Sequence, residues 1–132
     1  MTNIIHTTGK RKAAKAAAVL TKGTGKITVN GTPVELSSQE MYVLRMREPA
    51  ILAGDVAKKV DLSVTVKGGG VAAQADAARL AMAKALVEHK ASLEDTFSEY
   101  DRTLLVADVR RKEPRKPNRQ GSARAKRQKS YR

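Results

Sequence analysis

The stretch "VDLSVTVKGGGVAAQADAARLAMAKAL" leaves the rest of the chain few folds to choose from. Val60, Leu62, Val64 and Val66 alternate with Asp61, Ser63 and Thr65, the two-residue period of a strand with one buried face. Three glycines, Gly68 to Gly70, break that strand, and an alanine-rich segment of strong helix propensity follows. On it Ala75, Ala78, Met82, Ala85 and Leu86 form one apolar stripe, and Gln74, Arg79, Lys84 and Glu88 interrupt the rest of the surface. Side chains this small let a helix lie close to a sheet.

The neighbouring segments supply partners for that unit. "KITVNGTPVEL" predicts a hairpin, with Asn30-Gly31 tolerating positive φ in a two-residue turn and Pro33 restricted to an edge or strand end. "SSQEMYVLRMREP" predicts a helix opened by a Ser37–Glu40 capping box, with Met41, Leu44 and Val43 on its apolar side and Pro49 ending it. "RKAAKAAAVL" is ambiguous: its propensity leans to helix, yet it lies at hairpin-like distance between Gly9 and the "KGTGK" turn. A short apolar run from Leu104 to Ala107 is placed to close the domain.

After Asp108 the pattern stops. Residues 109–132 hold eleven Lys or Arg and one acid, Glu113, so the tail carries +10 of the total +13. Pro114, Pro117 and Gly121 punctuate it, and no apolar period runs through it. The expected organisation is a globular domain over 1–108 and an extended basic tail over 109–132, disordered without a partner. With a pI near 10.3 and the charge segregated rather than spread, a polyanion is the expected partner class.

Several function classes fall away on composition. There is no cysteine, hence no disulfide framework or thiolate metal site, and His6 and His89 are the only imidazoles. His89 stands next to Lys90 at a helix C-terminus, a place that favours cations, so it reads as a surface residue rather than a catalytic base. No apolar run approaches a membrane span, no amphipathic membrane-surface helix is evident, and the N-terminus does not read as a signal or transit peptide. The motifs of nucleotide-binding loops, zinc peptidases and serine hydrolases are absent, so no cofactor, metal or small-molecule substrate is expected.

The candidate binding residues are basic or glycine. Gly68 to Gly70 make either a tight strand-to-helix turn beside packed alanines or a phosphate-binding turn at a helix N-terminus. Lys10, Arg11, Lys12 and Lys15 form a basic patch suited to phosphate contacts once a basic tail is present. The tail offers Arg110, Arg111, Lys112, Arg115, Lys116, Arg119, Arg124, Lys126, Arg127, Lys129 and Arg132. Arginine forks take phosphate bidentately and stack on bases, which favours folded RNA as much as DNA.

Four stretches together, "GKRKAAKAAA", "VKGGGVAAQADAARLAMAKAL", "LLVADVRRKEPRKP" and "GSARAKRQKSYR", resemble the ribosomal protein S-nine family of the small subunit, in that family's order and across essentially the whole chain. The closing "QKSYR" is similar to the archaeal and eukaryotic branch. The resemblance implies an α+β fold like the second domain of ribosomal protein S-five, a four-stranded sheet with helices on one face, and makes "RKAAKAAAVL" a strand. It implies a non-enzymatic structural role on the cytoplasmic ribosome, with small-subunit rRNA, peptidyl-site tRNA and neighbouring head proteins as partners. Carried over by position, Lys10, Arg11 and Lys12 match the family's basic N-terminal motif, and Gly68, Gly69, Gly70 and Gln74 its Gly-rich loop. The tail residues from Arg110 to Arg127 would line a path through rRNA, and Lys129, Ser130, Tyr131 and Arg132 would be the tRNA-proximal end. Val109 departs from the proline common there, and Arg127 from an aromatic frequent in that branch. A free DNA-compacting protein is the alternative among binders, and a small relative of the kinases that share this fold is the alternative among enzymes.

Overall fold

A computed structural model describes residues 4–36, 40–119, 123–124, 126–127 and 129–130. The protein is α+β, with a mixed five-stranded sheet in the order β1-β2-β5-β3-β4. The strands are β1 (Ile5–Arg11), β2 (Ala14–Lys22), β3 (Ile27–Val29), β4 (Thr32–Pro33) and β5 (Val60–Lys67); the helices are α1 (Glu40–Ala53), α2 (Val71–His89) and α3 (Leu93–Tyr100). All pairings are antiparallel except β3 with β5.

The alternation expected of residues 60–67 is seen: Val60, Leu62, Val64 and Val66 are buried under α2, and Ser63, Thr65 and Lys67 are exposed. "RKAAKAAAVL" contributes strand β2, not helix. Ala16, Ala18 and Leu20 are buried in step with their β5 partners, and Ala14 is buried at the head of the strand, so tertiary pairing overrides alanine's helix propensity. Asn30 and Gly31 both adopt positive φ, 53° and 81°, as the predicted two-residue turn requires. That turn lays Thr32–Pro33 beside β3 as a short edge strand, so the sheet has five strands rather than the four expected.

Two expectations for α1 fail. The helix does not end at Pro49 but runs through it to Ala53, with the proline ring buried in the core. Pro49 cannot donate to the Arg45 carbonyl, and burial of the ring offsets that loss. The apolar side is also displaced: Val43, Met46, Pro49 and Ala53 are buried, whereas Met41 and Leu44 are exposed. The sequence carries apolar residues on both sides of this helix, so its phase is set by what α2 offers. The proposed capping residue Ser37 lies outside the described residues.

Helix α2 is the centre of the core. Its expected stripe of Ala75, Ala78, Met82, Ala85 and Leu86 is buried, and Ala77, Leu80, Ala81 and Ala83 are buried as well. The extra burial follows from two neighbours: one side of α2 packs on β1, β2 and β5, the other on α1. Helix α3 was not foreseen. Its Leu93 and Phe97, one turn apart, close the end of the core together with Leu104, whereas Val106 of the same apolar run is exposed.

Asp61 secures the β2–β3 connection. Its Oδ1 accepts the backbone N–H groups of Lys26, Thr24 and Gly25 at 3.0, 2.9 and 3.1 Å. These bonds, led by Lys26, hold the carboxyl below its ordinary value. A depressed carboxylate stabilises fully above the unfolded pKa of about 3.9 and stops doing so as pH falls through the folded value. Asp61→Asn should therefore flatten the loss of stability below about pH 4, read as urea midpoint against pH.

Candidate nucleic-acid interface

Two charged regions lie where the β1–β2 hairpin meets the root of the tail, and their charge balance separates their roles. The larger is a cleft between the hairpin, α1 and α2, with Lys10 at its border. Its charges cancel internally. Arg45 Nη1 reaches Asp76 at 3.0 Å, and Arg11 Nε lies 3.6 Å from the same carboxylate. Arg79, only 11% exposed, donates from Nε to Glu48 at 2.7 Å and from Nη2 to Asp101 at 3.1 Å. Asp101 also accepts the backbone and hydroxyl of Thr103, and those bonds, more than Arg79, hold its carboxyl below the ordinary range. This network ties α1, α2 and the segment after α3 together, and it leaves little charge for a ligand.

Arg79→Met should lower stability by about 2 kcal/mol, less than for a fully buried pair because Glu48 and Asp101 are about a third exposed and partly rehydrate. Thermal melts should show a midpoint lower by about 6–8 °C.

The second region is a notch lined by Arg11, Lys12, Arg110, Arg111 and Lys112, with no acid in its wall. Residues almost a hundred positions apart in sequence build it. Lys12 takes positive φ, 53°, at the hairpin tip, and its carbonyl accepts Arg111 Nη1 at 3.3 Å. Asp108 fixes the root of the tail from behind. Its carboxylate accepts the Arg110 backbone N–H at 2.8 Å and the Arg110 Nη2 at 2.7 Å. It also lies 3.0 Å from Arg11 Nη1, a buried nitrogen with no hydrogen bond of good geometry. Hydrogen bonds from Arg110 are the main cause holding Asp108 well below the carboxylate range, and the same pairing raises the Arg110 guanidinium. Asp108, together with Asp76 on Arg11, offsets only part of the five cations, which leaves the notch positive.

The Gly-rich loop abuts this hairpin. Gly68 and Gly69 have φ of 80° and 64°, and a Cβ on Gly68 would sit 2.6 Å from the Ala13 carbonyl oxygen. Gln74 braces the loop, donating from Nε2 to the Gly68 carbonyl at 3.1 Å. Close backbone approach thus accounts for Gly68 and Gly69, while Gly70 has open space around its Cα.

Beyond Lys112 the tail holds no regular element among the described residues except an antiparallel bridge of Arg119 with Arg127. Glu113 draws Lys116 and Arg124 toward itself, the latter at 2.7 Å, and these bonds lower its carboxyl pKa. Arg115, Lys126, Lys129 and Ser130 are exposed, and Tyr131 and Arg132 lie outside the described residues. Lys15 is exposed on β2 opposite Lys10 and does not line the notch. Among the described residues no helix is long and apolar enough to cross a membrane, and no group of three His, Cys, Asp or Glu could hold a metal ion.

Sequence reasoning found all five cations of the notch but not Asp108, which orients two of them, nor Arg79, read only as an interruption of an apolar stripe. No local signal marks either, because each acts on partners distant in sequence.

Fold and site together define a small basic α+β protein that presents a cationic notch continuous with a cationic tail. Comparison with known proteins carries this to a family. The ribosomal protein S9/S16 family profile matches residues 9–132, and the chain belongs to that family. It is 48% identical over 132 residues to the small ribosomal subunit protein uS9 of Methanococcus vannielii, covering 98% of each chain. It is 56% identical over 130 residues to the protein of the same name from Thermoplasma volcanium, covering 97% of this chain and 98% of the relative. Both relatives are archaeal, in keeping with the branch that the closing residues resemble.

Proposed function

We propose that this protein is a structural, non-enzymatic constituent of the small ribosomal subunit, bound to rRNA in the subunit head on the cytoplasmic ribosome. The observation that carries the reading is the notch: five cations and no acid in its wall, at the point where the tail leaves the domain. An RNA backbone seated there meets Arg11 and Lys12 from the hairpin and Arg110, Arg111 and Lys112 from the tail at once. The domain corresponds to residues 1–108, in the fold of the second domain of ribosomal protein S-five, and residues 109–132 form a tail ordered by RNA.

In this reading Arg115, Lys116, Arg119, Arg124, Lys126 and Arg127 neutralise phosphates along the tail's path. Gly68, Gly69, Gly70 and Gln74 hold the hairpin in place and stand close to the RNA, and neighbouring head proteins complete the surroundings. Lys129, Ser130, Tyr131 and Arg132 reach peptidyl-site tRNA. The terminal carboxylate offsets part of the Arg132 charge, so this end tunes tRNA affinity rather than dominating it. Deleting residues 129–132 should leave assembly intact and weaken tRNA retention or decoding fidelity, measured as tRNA dissociation from purified small subunits. Subunits that fail to assemble with the deleted chain would overturn this division of labour.

A further inference from the structure

The open face of the sheet carries a charge pattern that folding alone does not require. In register, Lys10 stands opposite Lys15, and Lys15 opposite Lys67, a row of three ammonium groups across β1, β2 and β5. One step along each strand, Gly9, Ala16 and Val66 are buried, which puts the three exposed lysines on the side away from the helices. Neighbouring strands are about 4.8 Å apart, so the row spans about 10 Å. Like charges directly opposite one another destabilise a sheet. None of the three has a carboxylate partner among the described residues. The acid on this face of β5, Asp61, is six residues from Lys67, about 20 Å along the strand, and is engaged with the β2–β3 connection.

The floor beside the row is low and polar. The next row is Thr8, Ala17 and Thr65, and the row beyond it is His6, Val19 and Ser63, so the positions directly beside the lysines are small. Lys10 is followed directly by Arg11 and Lys12, so the row leads round the hairpin tip into the notch.

We infer that this open face is a second docking surface for RNA backbone, with Lys10, Lys15 and Lys67 contacting phosphates and the hydroxyls of Thr8, Ser63 and Thr65 beneath the strand. The inference rests on the RNA-binding reading above and adds Lys67, and the sheet face itself, to the interface. RNA supplies the negative charge that the fold withholds from the row.

The test is titration of the full chain with a transcript of the small-subunit rRNA at several salt concentrations, with circular dichroism confirming that each variant is folded. Each lost phosphate contact removes about 0.7–0.9 from the slope of log K against log salt, so K15A/K67A should lower the slope by about 1.4–1.8. Affinity at about 0.1 M salt should fall roughly tenfold per contact. The free variant should melt at or slightly above the parent temperature, since repulsion is relieved. Ala17→Glu, which sets a carboxylate on the floor, should weaken binding with the fold intact.

An unchanged slope in K15A/K67A, alongside a reduced slope in R111A/K112A, would overturn the sheet-face inference and leave the RNA reading standing. Parent protein that binds the transcript without salt dependence would overturn the RNA reading itself. An unchanged slope with loss of incorporation into subunits would show that the face meets a protein, and would overturn the inference as well.

Discussion

Gly9→Ala is expected to destabilise the protein by about 3 kcal/mol, lowering its melting temperature by about 10 °C. Gly9 lies in β1 where α2 comes closest. A Cβ there would fall onto the Ala77 carbonyl oxygen and within 2.8 Å of the Ala81 nitrogen, both backbone atoms that move only with the helix. The close approach is reinforced beside it, where Thr7 Oγ1 donates to the Ala81 carbonyl at 2.7 Å. Moving α2 outward would open gaps around Ala77, Ala78 and Ala81, all fully buried. Gly70→Ala is the matched control: nothing lies within 4 Å of its added Cβ and its φ is −99°. That variant should differ from the parent by less than about 0.5 kcal/mol. Equal melting temperatures for the two variants would contradict the close packing of α2 on β1.

Removing residues 109–132 is expected to have the largest effect on RNA binding. The tail holds eleven of the twenty-six cations. If about six to ten of its side chains reach phosphates, those contacts alone should lower the affinity of the full chain about 10³- to 10⁵-fold between 50 and 200 mM salt. A chain ending at Asp108 keeps the five cations of the hairpin and sheet face, Lys10, Arg11, Lys12, Lys15 and Lys67, and over the same range should lose only about a hundred- to five-hundredfold. Similar salt dependence for the two chains would mean that the tail does not lie along the RNA backbone.

Much of this was legible in the sequence, for reasons that differ by element. Strand β5 and helix α2 announced themselves because burial there follows one clean period along the chain. The Asn30–Gly31 turn was equally plain, since few residue pairs accept positive φ twice in succession. Helix α1 was misread because Met41 and Leu44 look as apolar as Val43 and Met46, and only α2 decides which pair it buries. Propensity gave the wrong state for β2, where alanines are chosen for their size beneath α2.

The candidate site divides in the same way. Its cations were visible as composition and sequence runs. Their assembly into one notch was not, because Arg111 reaches the Lys12 carbonyl across ninety-nine positions. The row of Lys10, Lys15 and Lys67 depends on strand register, and the strand phase that places Lys67 with Ser63 and Thr65 was its one trace in the sequence.

The most direct test of membership in the small subunit is sedimentation of tagged protein from a cell lysate, with the ribosomal fractions washed at rising salt. A tail threaded through folded RNA predicts that the chain stays with small subunits through about 0.5 M salt, beyond the range where contacts held only by counterion release survive. Release at about 0.2 M, with the protein moving to bulk DNA or RNA, would contradict it and leave only a basic protein bound by charge.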